Sequence, residues 1–519
     1  MDKLENFLKK RQNPIQSLIL AAVGAVLFAF SVIAAAKPVK ADYPATAGLL
    51  TLIAAVCAVI PLISFLIIVV KKTDTVRVFV ISAVMLSLIT TLVIPINCAP
   101  DEWTHYTNAY NYSNKLMGKG AVKNNEPITL RNCDSLFFSH NIGPEKYTEV
   151  INGFELFTDD TEEVRIIFAE VTSSPFYVYT PQIIGITLGR LAHLGAVPTY
   201  YLARLLNAAM YIIIVAVALK RIPFGKTALA IMALFPVTLQ QTSSASTDPF
   251  INAMAFLVSA LCLELIYNKE KISVKDTIAL IVCSVILAPC KLVYFAIPFM
   301  TWLIPKNKFD KRNVRIFTKY IVPLFSVASL VLFQLHNILG YTDSQPEVTL
   351  ISDVPTYSFS FIFVNPKAFL LMLIRTVKVF DFFYIESMIS SPLGWLQIEC
   401  SELIALIITI AFVASLIPSE KSKLTPVIRR TDRLWSLMIA GGTALLVILS
   451  MFSAWTPSDS PIILGVQGRY FLPVLPLIIP VIYSKSLSAP ESLKRYALFV
   501  TVNTSMYTML NAICTAVSI

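Results

Sequence analysis

The chain predicts an all-α polytopic membrane protein, and three observations carry that prediction. Only 14% of its 519 residues are charged and 56% are hydrophobic, against roughly 25% charged in a globular chain. Its mean hydropathy is +0.70. Apolar runs recur from one end of the sequence to the other, and a run of about twenty residues crosses the hydrocarbon core as one helix.

Read in order, those runs give about thirteen transmembrane helices. They lie near 15–36, 46–70, 77–96, 198–219, 227–242, 249–268, 277–289, 292–305, 320–339, 400–418, 433–453, 470–484 and 496–517. Pro236, Pro289 and Pro298 interrupt several of them. The first run follows Lys9, Lys10 and Arg11 but is too long for a secretory signal, so it reads as a retained helix. There is no repeat, low-complexity tract or linker, which leaves a single membrane domain over 1–519.

Charge sets the orientation. With the N-terminus cytoplasmic, the loops assigned to the cytoplasm collect 27 of the 42 basic residues, nearly all in short connections. That is the positive-inside pattern. It accounts for the net charge of +10 by topology and removes nucleic acid as a partner. The expected location is a multi-pass protein of the cell membrane, with the lipid bilayer as its surroundings.

Three pieces then face outward: the large loop 97–197 after the third helix, the segment 340–399, and 454–469. Within them, 181–197 carries Arg190 and His193, and 366–383 carries Lys367, Arg375 and Lys378. Both read as helices on the outer membrane surface. Eight Cys are scattered without a CxxC, so no zinc or redox motif exists. Cys98 and Cys133 share the outer loop, and a disulfide between them is one option.

The stretch Pro100–Tyr106 opens that loop with Asp101, Glu102 and His105. Carboxylates are costly in hydrocarbon, so these belong at the interface or in a wet cavity. Pro100 suits the start of a helix and Gly118 its end. On that helix Asp101, His105, Asn108 and Tyr112 share one face, with Trp103, Tyr106 and Tyr110 on another. Asp101, Glu102 and His105 are the catalytic candidates; the competing reading is that both acids only cap the helix. The same three residues are the available ligands for a divalent cation, Mg or Mn, and the metal is left open.

Asp248 ends the next outward turn, either as a helix cap or as a second site carboxylate. Lys291 lies at an outer helix end, where it snorkels or serves the site. Arg469, between Gln467, Gly468 and Tyr470, precedes a span on the outer side against the charge trend. A phosphate at headgroup level suits its guanidinium fork; a salt bridge to Asp459 is the plain alternative. Asp248, Lys291, Gln467, Arg469 and Tyr470 are therefore the candidate binding residues for a lipid phosphate or an acceptor.

Pro100-Asp101-Glu102-x-x-His105 after an early membrane helix resembles the acidic motif of the GT-C superfamily of membrane glycosyltransferases. Ser173–Tyr177 before a surface helix and Ala203–Asn207 opening the next span resemble it more weakly. Gln467–Pro473 resembles an uncharacterised bacterial branch of predicted membrane proteins placed beside that superfamily.

The resemblance implies a GT-C-like fold and a hexosyl- or pentosyltransferase acting with inversion on the outer face. Its donor would be a polyprenyl-phosphate-linked sugar, its acceptor a cell-envelope glycan or a lipid-linked acceptor. Asp101 matches the family's catalytic acidic residue, Glu102 its neighbour, and Asp248 loosely the second-loop acidic position. No Asp-x-Asp is present, so metal dependence and the choice of base between Asp101 and Glu102 stay open. The rival expectations are a transporter or flippase, with ionisable groups near the midplane, and a polymerase or ligase of lipid-linked sugars.

Overall fold

The computed structural model describes residues 19, 22–26, 30, 33–34, 36–37, 39–135, 140–159, 162–169, 174–343, 348–349, 352–419, 426–484 and 488–517. Helices dominate because apolar runs in lipid must satisfy every backbone polar group within the segment. Among the described residues, strands are confined to two small antiparallel pairs, 127–131 with 163–167 and 348–349 with 352–355. The predicted first span, 15–36, lies largely outside the described residues.

Seven helices among the described residues are long and apolar enough to cross a membrane. In chain order the helices that matter for the site are as follows. Helix α1 (Pro44–Ser64) runs on as a π-helical turn, Phe65–Val70, and α2 spans Thr75–Val93. The first large loop holds α3 (Glu102–Leu116), α4 (Pro144–Asn152) and α5 (Thr180–Leu191) around the first strand pair. Helix α6 (Ala196–Arg221) has 26 residues, and at 1.5 Å per residue it is about 39 Å long.

Helices α7 (Lys226–Ala233), α8 (Pro236–Thr242), α9 (Asp248–Tyr267) and α10 (Val274–Leu287) follow. After them come α11 (Val322–Asp343), α12 (Pro366–Ile389), α13 (Glu402–Ser415), α14 (Arg430–Ala454) and α15 (Glu491–Ala516). Large apolar side chains on the bundle's outside stay uncovered, among them Leu52, Ile213, Leu332 and Met438. Uncovered apolar surface on that scale fits contact with lipid. Helix α9 is the most enclosed of the seven, with 83% of its apolar window buried.

The predicted spans differ from the observed elements where proline decides. The run 227–242 is two short helices, α7 and α8, separated at Phe235–Pro236. Proline has no amide proton and clashes with the preceding turn, so the helix restarts there. The run 292–305 folds as a 3-10 helix, Tyr294–Leu303, around Pro298. The run 470–484 starts as a 3-10 helix, Gly468–Ile478, with Pro473 and Pro476 inside it.

Helices α5 and α6 meet through glycines, as close helix pairs in membranes do. A Cβ at Gly185 would lie 2.7 Å from the Ala203 Cα, and one at Gly189 would lie 2.7 Å from the Thr199 Oγ1. That approach buries Arg190, whose guanidinium stacks 4.3 Å over the Tyr110 ring and donates to Ser113. So α5 packs one face against protein and leaves Thr180, Ile184, Leu188 and Leu191 uncovered on the other. No disulfide joins Cys98 and Cys133.

Candidate functional site

The site lies at the end of the bundle where α3 begins, and two adjacent carboxylates divide it. Glu102 is fully buried. Arg204 of α6 holds it with two N–H···O bonds, Nε to Oε1 at 2.7 Å and Nη2 to Oε2 at 2.6 Å. The remaining Arg204 protons go to the carbonyls of Ile94 at 2.7 Å, Pro95 at 2.8 Å and Thr91 at 3.3 Å. Glu102 Oε1 also accepts the Ala245 amide at 2.8 Å. With both oxygens engaged by a bidentate cation, this carboxylate has no free lone pair facing a substrate. The catalytic expectation for Glu102 thus meets a carboxylate taken up by Arg204 and by backbone amides.

What Glu102 positions is the turn that delivers Asp248. Asn207, three residues along α6 from Arg204, donates to the carbonyls of Ser244 and Ser246 at 2.8 and 3.0 Å. Gln182 of α5 donates to Ser246 at 2.9 Å. The turn 243–247 is therefore held from three elements, and α9 starts at a fixed point. The Asp248 side chain does not cap that helix: the residue is its first, with Pro249 next. Instead Asp248 accepts the Gln241 amide at 2.8 Å and faces Lys291 at 3.4 Å and Arg469 at 3.7 Å. Gln241 is itself set by Asn252, which donates to its Oε1 at 3.0 Å.

Asp101 takes the opposite course from its neighbour. Its backbone is left-handed, with φ 58° and ψ 12°, a conformation that costs a non-glycine residue about 1 kcal/mol or more. The twist carries its side chain out of the frame that holds Glu102. The carboxylate is 61% exposed and stands 3.7 Å from Arg469 Nη2. Arg469 thus bridges the two acids, Asp101 through Nη2 and Asp248 through Nη1. Its predicted alternative partner, Asp459, is not the one observed.

Arg469 is 91% buried by its 9% exposure, and its Nε has no hydrogen-bond partner. Its position is set by Gly468, which lies so close to α12 that a Cβ would fall 2.0 Å from the Tyr384 carbonyl oxygen. The Gly468 amide donates to Ser387 at 2.8 Å. Tyr470 supports both cations with its ring, Lys291 Nζ at 4.5 Å and the Arg469 guanidinium at 5.2 Å, in cation–π geometry. Tyr294 fixes Tyr470 by donating to its carbonyl at 2.8 Å. Gln467 precedes this group in the chain and is half-buried.

His105, one turn along α3 from Asp101, completes the rim. Its Nδ1 is 2.9 Å from the Tyr179 hydroxyl. Burial holds the imidazole below its ordinary value, outweighing the opposite pull of Asp248 and Asp101. Asn108 and Tyr112 lie on the same helix face, as the spacing predicts. Asn108 donates to the Ala169 carbonyl at 3.0 Å, and the Tyr112 ring sits 6.2 Å from the Tyr179 ring.

The residues proposed as metal ligands do not fit a bound cation. Asp101, Glu102 and His105 are adjacent in sequence, but Glu102 is consumed by Arg204 and Asp101 faces Arg469. Among the described residues no three of His, Cys, Asp and Glu converge on one point.

Of the predicted residues, Asp101, His105, Asp248, Lys291, Arg469 and Tyr470 come together from four separate stretches of chain. Arg204, Gln241, Asn252, Tyr179 and Tyr294 were not singled out for a role in the sequence. The signal for Gln241 and Asn252 was there, since an amide inside an apolar run needs a partner. The partner's identity was not.

Fold and site define a polytopic helical membrane protein with a charge-balanced cluster of side chains at one end of its bundle. The chain belongs to the family described as predicted membrane protein (DUF2142), whose model matches residues 84–478. The match starts inside α2 and ends with the 3-10 helix that carries Arg469. No curated protein and no solved structure matches the chain.

Proposed function

We propose that this protein is a membrane glycosyltransferase. It moves a sugar from a polyprenyl-phosphate donor to a cell-envelope glycan or lipid-linked acceptor at the outer face of the cell membrane. The observation that carries the reading is the bridge formed by Arg469 between Asp101 and Asp248, with its buried Nε unpartnered. A buried donor without a partner costs about 1–3 kcal/mol, and a phosphate oxygen is the acceptor a guanidinium suits best.

The chemistry divides the cluster between its two signs. Asp101, the exposed acid, takes the proton from the acceptor hydroxyl. That oxygen attacks the anomeric carbon as the bond to the donor phosphate breaks, and the phosphate leaves with the bonding electrons. A single displacement inverts the anomeric carbon. Arg469 and Lys291 receive the leaving phosphate, Tyr470 shelters both cations, and Asp248 with Gln241 holds the pair in place. General-base help of this kind contributes about 10²–10⁴-fold, and prearranged charge on the leaving group is commonly the larger share.

The proposed topology keeps the N-terminus cytoplasmic and counts thirteen crossings, with the long helices joined by the shorter apolar pieces. The chain order supports it. Residues 226–242 run from the end bearing Lys226 to the turn held by Glu102, and α9 runs back. The polymerase, ligase and flippase readings share lipid-linked substrates. A flippase would place its charges near the midplane, whereas these lie at one end of α9 and α3.

The test is genetic and chemical. Cells carrying Asp101→Asn in place of the native gene accumulate the protein in the membrane but lose one sugar from their envelope polymers. Normal envelope glycosylation in that strain sinks the proposal.

A further inference from the structure

At the opposite end of the bundle, the facing parts of α2, α6 and α7 enclose a cavity of about 670 Å³ that is open on one side. Arg77, Lys220 and Lys226 stand around it, with Val80 and Ala216 in its wall and Asp74 as its one acid. Asp74 is already engaged: it caps α2 through Val76 and Arg77 and pairs with Arg77 at 3.3 Å. The neighbouring cation Arg221 is satisfied by Glu264 at 2.5 Å. No carboxylate among the described residues pairs with Lys220 or Lys226, so the cavity carries an uncompensated positive charge.

The cavity continues into an apolar track. On α2, Ile81, Val84 and Leu88 follow one another along the helix, 37%, 43% and 48% exposed. On α6, Ile213 and Val217 stand three residues before the cavity-lining Ala216 and Lys220, and both are uncovered. A cationic rim at the helix ends that opens onto an apolar stripe along the same two helices is the shape of an amphiphile. Its charged part is an anion, and its apolar part runs toward the bilayer centre.

We infer that this cavity is a binding site for an anionic phospholipid of the leaflet opposite the Asp101 cluster. The phosphodiester rests among Arg77, Lys220 and Lys226, and one acyl chain lies along Ile81, Val84, Leu88, Ile213 and Val217. The site is independent of the proposed sugar transfer. Helix α6 carries both Arg204 and Lys220, so a lipid seated here braces the helix that holds Glu102.

The full-length protein, purified in detergent, is exposed to phosphatidylglycerol or to phosphatidylcholine and examined by native mass spectrometry. The expected result is selective retention of phosphatidylglycerol. Each basic residue beside an anionic headgroup is worth about fivefold in affinity, so replacing all three with Gln weakens retention roughly a hundredfold. Lys271→Gln, which removes a cation paired with Asp310 at the same end, leaves retention unchanged and controls for net charge. Equal retention of both lipids, or retention unaltered in the triple variant, overturns the inference. So does displacement of the lipid by inorganic phosphate alone, because the track along α2 and α6 would then contribute nothing.

Discussion

Asp101 and Glu102 are joined by one peptide bond and serve opposite purposes. The Glu102 carboxylate is sealed against Arg204 at 2.6 Å, while the Asp101 carboxylate opens to solvent and to Arg469 at 3.7 Å. The left-handed backbone at Asp101 separates them. Four predictions follow from this division and from the elements that maintain it.

Breaking the buried pair is expected to cost stability. Removing one partner of a buried ion pair leaves the other uncompensated, at about 3–5 kcal/mol. Glu102→Gln and Arg204→Met should therefore each lower the melting temperature in detergent and reduce accumulation in the membrane. Replacing both residues with apolar ones should recover much of the loss. If Glu102→Gln melts like the native protein, Glu102 is not the residue that fixes the Asp248 turn.

Asp101→Gly separates strain from function. Glycine adopts the left-handed region without the Cβ penalty, so the variant is expected to gain about 1 kcal/mol of stability and to lose activity. A thermal melt paired with an envelope-sugar profile measures both. Unchanged stability would mean that the backbone at Asp101 is not strained.

The relay from Asn252 through Gln241 to Asp248 predicts a graded effect. Gln241→Leu leaves Asp248 without its neutral donor and should cut activity by more than Asn252→Leu does, with the protein still folded. Each lost hydrogen bond to a charged acceptor is worth about 1.5–3 kcal/mol. Turnover at saturating donor, compared with turnover at low donor, shows whether the relay serves binding or the chemical step. Equal and full activity in both variants contradicts the relay.

Acidification should weaken the protein through His105. Burial depresses its value below the ordinary 6.5, so just below 6.5 the unfolded chain binds more protons than the folded one. Stability then falls as pH drops from about 6.5 toward the depressed value, and above 6.5 this group contributes no slope. The melting temperature of the native protein, minus that of His105→Gln, should decline over that window. A flat difference contradicts it.

The all-α membrane class was legible in the sequence because hydropathy and charge are summed over many residues. The faces of α3 were legible because helical periodicity is local, and Asp101, His105, Asn108 and Tyr112 do share one. The charged members of the cluster were legible as well: an Asp before a Pro, or an Arg at the wrong end of a span, stands out alone. The partners were not legible. Glu102 and Arg204 are 102 residues apart, and nothing local states that one of two adjacent acids turns inward. The interruptions at Pro236, Pro289 and Pro298 were legible as prolines inside apolar runs, but the 3-10 form of 468–478 was not, because hydropathy counts Pro473 and Pro476 as residues and not as missing donors.

The central claim is that Asp101 acts on a polyprenyl-phosphate-linked sugar held by Arg469. Purified protein in lipid nanodiscs, supplied with a panel of radiolabelled polyprenyl-phosphate monosaccharides and with envelope glycan as acceptor, measures it most directly. Native protein should transfer label from one donor, Asp101→Asn should transfer none, and Arg469→Lys should transfer it slowly because a lysine lacks the fork. Transfer by Asp101→Asn at the native rate, or consumption of a pyrophosphate-linked oligosaccharide in place of every monosaccharide donor, would contradict it.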